Sequence, residues 1–224
     1  MGADRIAALL ALLSPDERER FAVLRDDNRR RQFLQGRALC RHVLSHYAPV
    51  RPADWRFALG SRGKPSIAAP VLPSPLWFSL SHADGVSICA VTGAGPEIGI
   101  DLEPVASGND ALEIAAQFFP PAEARALRAL PPASREEWFV QLWALKESYA
   151  KAREISLADA IGGTTFDLAR PRAIAATFAD ALGEGALPWR FALFCLHEAL
   201  ILALALRTPA TGELRLRSGT CPLA

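Results

Sequence analysis

A long helical stretch followed by paired apolar strands occurs twice in this chain, and that order limits the fold more than any other feature. Ser14-Pro-Asp-Glu17 sets an N-cap serine, a first-turn proline and a glutamate three residues on, the mark of a helix start. Phe33, Leu34, Ala38, Val43 and Leu44 recur at helical spacing, which predicts a second helix from about Arg29 to Tyr47. The Pro/Gly-rich stretch from Pro49 to Pro75 holds one short strand around Trp55–Leu59 and otherwise reads as loop. Trp77–Ser81 and Val86–Thr92 flank Ala83-Asp84-Gly85 as a hairpin, and Glu97 to Glu103 alternates as a further strand before Pro104. Helical material then returns at about Asp110–Phe119, Ala122–Leu130 and Ser134–Arg153. Strands follow at Thr164–Leu168, Ala173–Phe178, Trp189–Leu196 and Ala199–Arg207. His82 precedes one apolar strand and His197 another, which suggests a duplicated unit. The expected fold is α+β and monomeric. Its two pseudo-symmetric halves, 1–104 and 105–224, would each pack helices on a small, mainly antiparallel sheet.

A chain of 224 residues, half of them hydrophobic, buries enough surface to fold without a disulfide or a structural metal. Its net charge of +1 gives no reason to expect a nucleic-acid or membrane partner, so any anion site must be built locally. Cys40, Cys89, Cys195 and Cys221 form no C-x-x-C and no zinc spacing. Three lie in apolar runs and read as buried thiols, which suits a reducing cytoplasm. The apolar run Ile6–Leu13 has only Arg5 beside Asp4 ahead of it and runs into charged residues, unlike a signal peptide. No stretch reaches the length of a membrane span.

Asp101 and Glu103 stand two apart on a strand and so share a face. Side by side, two carboxylates raise each other's pKa unless a cation lies between them. Taken alone, the pair reads as a solvated strand end. Glu147 and Lys151, four apart in Trp143-Ala-Leu-Lys-Glu-Ser-Tyr-Ala-Lys151, share a helix face and read alone as a surface ion pair. A third carboxylate brought to Asp101 and Glu103 would complete an oxygen-only site of the kind that suits Mg²⁺. Gly60-Ser-Arg-Gly-Lys-Pro65 is no P-loop, because Pro65 replaces the hydroxyl residue; Lys64 is either an exposed turn lysine or a phosphate ligand. Ser81 and His82 either cap a hairpin or donate to a phosphate. No nucleophilic triad and no H-E-x-x-H motif is present.

Together these motifs have an order and spacing of their own. Phe78-Ser-Leu-Ser-His82, Ile98-Gly-Ile-Asp-Leu-Glu103 and Trp143 to Lys151 resemble the three signatures of the phosphopantetheinyl transferase superfamily. Gly63-Lys-Pro65, Ser14-Pro-Asp-Glu-Arg-Glu-Arg20 and Gln35-Gly-Arg-Ala-Leu-Cys-Arg41 are similar to segments of its larger, single-chain pseudo-dimeric branch, the surfactin-synthetase-activating type. The resemblance runs from about Ser14 to Arg207. It implies Asp101, Glu103 and Glu147 as Mg²⁺ ligands and Lys151 beside the pyrophosphate of coenzyme A. It implies Lys64, Ser81 and His82 as coenzyme A phosphate contacts and Arg20 at the 3′-phosphate, with Glu147, Glu123 or a metal-bound water as the general base. Two departures stand out. Glu17 occupies a position that is often basic in the family, with Arg18 or Arg37 as compensating cations. Val105 to Phe119 holds no Lys or Arg where relatives meet an acidic carrier helix, leaving Arg125, Arg128 and Arg153 nearest in sequence.

The implied reaction is Mg²⁺-dependent transfer of 4′-phosphopantetheine from coenzyme A to a serine of an apo acyl or peptidyl carrier protein, releasing 3′,5′-ADP. The implied site lies in the cleft between the halves. The alternatives are a module that binds coenzyme A or a carrier without turnover, and a Mg²⁺ phosphohydrolase.

Overall fold

In the computed structural model, which describes residues 2–83, 85–105, 110–169, 174–185, 187–196, 200–209 and 215–221, Ser14 caps a helix through the predicted box. Its Oγ accepts from the Glu17 N–H at 3.3 Å while Glu17 accepts from the Ser14 N–H at 3.0 Å. The chain divides into two compact units, one of residues 1–93 with 210–224 and one of residues 94–209.

The first unit opens with α1 (Ala3–Leu12), α2 (Pro15–Val23) and α3 (Asp27–Tyr47). Leu9 and Leu13 bury against Phe21, Leu34 and Ala38, so the apolar N-terminal run is a packed helix. Glu17 is buried, and its carboxylate meets the Arg41 guanidinium at 2.5 Å. Arg41 also donates to the Leu12 carbonyl, fixing the α1–α2 corner. The acidic residue at this position thus has a structural task. Four strands follow in two antiparallel pairs: β1 (Arg56–Leu59) with β2 (Pro65–Ala69), and β3 (Trp77–Ala83) with β4 (Val86–Thr92). Their apolar faces cover Cys40, Leu44, Trp55 and Phe78. β2 lies in the stretch expected to be loop, because Pro65, Ser66, Ala68 and Ala69 have weak strand propensity. Its pairing with β1 and the packing of Ile67 supply what propensity lacks. Asp84 of the expected hairpin turn lies outside the described residues; Gly85 beside it takes a φ of 79°, which suits glycine.

The second unit contains β5 (Ile98–Pro104), α4 (Ala111–Phe118), α5 (Pro121–Ala129), α6 (Pro132–Arg153), α7 (Leu157–Gly163), β6 (Thr164–Asp167), β7 (Ala175–Phe178), β8 (Trp189–Leu196) and β9 (Leu200–Arg207). β5, β9 and β8 form one antiparallel sheet in that order, and β6 pairs with β7. α6 packs on β5 and β9, burying Leu142, Ala144, Leu145 and Tyr149.

The architecture is α+β with small antiparallel sheets, as expected. The division falls at residue 93 rather than at Pro104, because β5 pairs along its whole length with β9 and so belongs with the later elements. Helix-then-hairpin order occurs in both units, while the sheets differ: two pairs in the first, a three-stranded sheet and a pair in the second. The short helix α7 has little local helical signal, since its seven residues include two glycines. His197 lies outside the described residues. The expectation of buried thiols holds for Cys40; Cys89 is half-buried, and Cys195 is exposed near the end of the edge strand β8. No helix among the described residues is long and apolar enough to cross a membrane.

Candidate metal centre

On β5 the residues 99, 101 and 103 share one face by strand alternation. The register sets Asp101 opposite Ala203 and Glu103 opposite Ile201 on β9. α6 lies on this face, and Glu147 brings the third carboxylate. One oxygen each from Asp101, Glu103 and Glu147 all fall within 4.8 Å of one another. Lys151, one turn beyond Glu147, donates to Asp101 Oδ1 and stands 3.9 Å from Glu147 Oε2. The Trp143 indole N–H donates to Glu147 Oε1 at 3.1 Å. Trp143 itself stacks near Phe119 and Phe139, so the hydrogen bond comes from a fixed ring.

The strand-end reading of Asp101 as solvated is corrected: it is only 2% exposed, because α6 covers it. Burial, followed by the charges of Asp101 and Glu147, pushes Glu103 up to about 7 despite the opposing Lys151 ammonium. Burial and then Asp101 also raise Glu147, against Lys151 and the Trp143 hydrogen bond. The cluster thus holds more negative charge than its surroundings accommodate. A small divalent cation fits this donor set: three hard carboxylate oxygens of adjustable protonation, converging from a strand and a helix.

Gly99, a residue outside the expected site, makes the convergence possible. A Cβ at this position would stand 1.9 Å from the Ser148 carbonyl oxygen and 2.6 Å from the Ala152 amide nitrogen. Only a residue without a side chain lets α6 lie this close to β5. The available signal was a glycine within a strand, on the same face as two acids.

Other expected site residues lie elsewhere. Glu123 is not with the triad: it is 2% exposed, contacts the Lys146 ammonium at 2.8 Å and accepts from the Phe166 N–H at 2.7 Å. Arg20, Lys64, Ser81 and His82 all belong to the first unit. Arg20 is exposed in the last turn of α2. Lys64 occupies the β1–β2 turn, where its carbonyl accepts from Gly60 N–H and Gly63 has a φ of 80°. Ser81 and His82 are neighbours on β3 and take opposite faces, one buried and one exposed. The triad lies wholly within the second unit, which replaces the expectation of carboxylates contributed by both halves.

Residues 97–205, a span that includes the triad, match the family model of the 4′-phosphopantetheinyl transferase superfamily. The chain is 38% identical over 144 residues to the 4′-phosphopantetheinyl transferase HetI of Nostoc sp., covering 64% of this chain and 60% of that protein. It is 33% identical over 142 residues to Sfp of Bacillus subtilis, covering 63% and 60%. To AcpT of Escherichia coli K12 it is 28% identical over 183 residues, covering 82% and 78%. The chain thus spans about three fifths of the length of HetI and of Sfp. The matched residues enclose all three converging carboxylates, so the part of the chain that carries the candidate metal centre is similar to the 4′-phosphopantetheinyl transferase superfamily.

Proposed function

We propose that this protein transfers the 4′-phosphopantetheine group of coenzyme A to a serine of an apo acyl or peptidyl carrier protein, acting as a cytoplasmic monomer with Mg²⁺ held by Asp101, Glu103 and Glu147. The observation that carries the reading is the convergence of these carboxylates within 4.8 Å beside Lys151. The names of its relatives support the same activity. When bound, Mg²⁺ would offset charge on the pyrophosphate oxygens. Asp101 and Glu103 hold their oxygens on a hydrogen-bonded strand, so the site is preorganised. Lys151, one-third exposed, presents its ammonium to the phosphate and to the departing 3′,5′-ADP. Glu147, partly open to solvent, accepts the carrier serine proton. Glu123 is a poorer base, since the Lys146 ammonium and a backbone N–H occupy its oxygens.

Arg20, Lys64, Ser81 and His82 of the first unit take the nucleotide phosphates of coenzyme A. Arg125 and Arg128, exposed on α5, suit an acidic carrier helix better than Arg153, which is engaged by Glu97 and Glu184. The test is the mass of an apo-carrier after incubation with enzyme, coenzyme A and Mg²⁺. The carrier should gain one phosphopantetheine with the wild type and none with Asp101→Asn, at least a 10³-fold loss of rate on the order expected for a metal ligand. Release of phosphopantetheine without a carrier points instead to a hydrolase, and coenzyme A binding without turnover to a binding module.

A further inference from the structure

We infer that Glu123 and Lys146 form a clamp that fixes the rotation of α6 and thereby aims Glu147 at the metal centre, an inference that rests on the Mg²⁺ reading above. Lys146 immediately precedes Glu147 and is fully buried. Its ammonium lies 2.8 Å from Glu123 Oε2 and donates to the carbonyls of Ile161, at 3.1 Å, and Thr164. Glu123 uses Oε1 to accept from the Phe166 N–H at 2.7 Å. One ammonium and one carboxylate therefore tie α6 to α5, to the end of α7 and to β6.

Successive helical residues project about 100° apart, so a grip on Lys146 at one flank sets the direction of Glu147 at the next. On the β5 flank, Gly99 seats the backbone at Ser148. Turning α6 by about 20° would move a carboxylate roughly 6 Å from the axis by about 2 Å. That is a large part of the 4.8 Å span shared by the three ligand oxygens.

Stability alone does not account for the pair. A buried ion pair is seldom more stabilising than well-packed apolar side chains of equal volume. What charge adds is direction, because the ammonium has several acceptors at set angles. The rings of Phe119 and Phe166, centred 5.0 Å and 5.6 Å from Nζ, leave it little room to shift. Glu123 is on this view a positioning residue with no part in proton transfer.

The test compares wild type, Glu123→Gln, Lys146→Met and the double variant Glu123→Leu/Lys146→Met. The readouts are Mn²⁺ affinity by electron paramagnetic resonance, with Mg²⁺ as competitor, melting temperature, and the pH–rate profile of carrier modification. The double variant should melt below the wild type, since the Phe166 N–H and the Ile161 and Thr164 carbonyls lose these partners, but above Lys146→Met alone, which also leaves the Glu123 charge unpaired; in its folded state it should bind Mn²⁺ at least ~10-fold more weakly. Glu123→Gln should melt lower and also bind Mn²⁺ more weakly. Wild-type Mn²⁺ affinity in the folded double variant overturns the clamp and leaves the metal centre standing. Should the double variant not fold, Glu123→Gln decides by the same measurement at a temperature where its near-ultraviolet circular dichroism matches the wild type. Glu123→Gln with intact Mn²⁺ affinity but without the acid limb of the pH–rate profile makes Glu123 the base, and again overturns the clamp. Failure of the wild type to bind Mn²⁺ or Mg²⁺ overturns both proposals.

Discussion

Glu103 has the most telling titration of the three converging acids, and its sign can be worked out. Its folded pKa of about 7 lies above the ordinary glutamate value, so the metal-free folded state holds this proton more tightly than the unfolded chain does. Stability from this group is therefore greatest on the acid side. It falls as pH rises from the unfolded value through about 7, and stays low above that. Bound Mg²⁺ reverses the effect by favouring the ionised form. The gain in melting temperature on adding Mg²⁺ should accordingly be larger at pH 8 than at pH 6, and Glu103→Gln should flatten that difference. A gain independent of pH in the wild type would show that Glu103 does not feel the ion. The alternation around Asp101 and Glu103 made their shared face legible in the sequence. Their burial was not legible, because it is imposed by α6, whose arrival on β5 depends on contacts some fifty residues away.

Most secondary-structure elements were also legible, since capping boxes and apolar periodicity are local signals. The elements not read were α1, whose apolar run was weighed only against a signal peptide, and β2 and α7, whose small residues and glycines carry little local preference and are held by tertiary packing. Close approach between elements is likewise invisible in a pattern of types, and Gly99 is the case that matters. Gly99→Ala would force a methyl carbon into the space of the Ser148 carbonyl oxygen. β5 and α6 must then separate by more than about 1 Å, at a cost of roughly 1–3 kcal/mol, as for other overpacked cores. The melting temperature should fall by several degrees. In the fraction that remains folded, Mn²⁺ affinity should fall at least ~10-fold, because the separation opens the gap between Asp101 and Glu147. Wild-type affinity in that variant would mean that the ligands adapt and that close packing of α6 is not what assembles the site.

For the whole molecule, a net charge of +1 conceals a strong division. Residues 1–93 with 210–224 carry 15 Lys and Arg against 9 Asp and Glu, while residues 94–209 carry 10 against 15. The acidic unit holds the proposed cation site, and the basic unit holds the residues proposed for the phosphates of coenzyme A. This division was open to counting from the sequence, but only once the boundary was known; placing it at Pro104 assigns Asp101 and Glu103 to the wrong side. Lys64 offers the cleanest test of the basic unit. It sits in a two-strand turn outside the packed core, so its loss should leave the fold intact. A charge-assisted contact to phosphate contributes about 1.5–3 kcal/mol, which corresponds to a change in affinity of about 10- to 150-fold. Lys64→Ala should therefore raise the coenzyme A dissociation constant by about that factor in calorimetry, with a shallower salt dependence than the wild type. Its Mn²⁺ affinity should stay unchanged, since the triad belongs to the other unit. The Asp101→Asn variant should show the opposite pattern, losing Mn²⁺ while metal-free coenzyme A binding persists. Unaltered coenzyme A affinity in Lys64→Ala would remove this lysine from the phosphate contacts while leaving the carboxylate site in place.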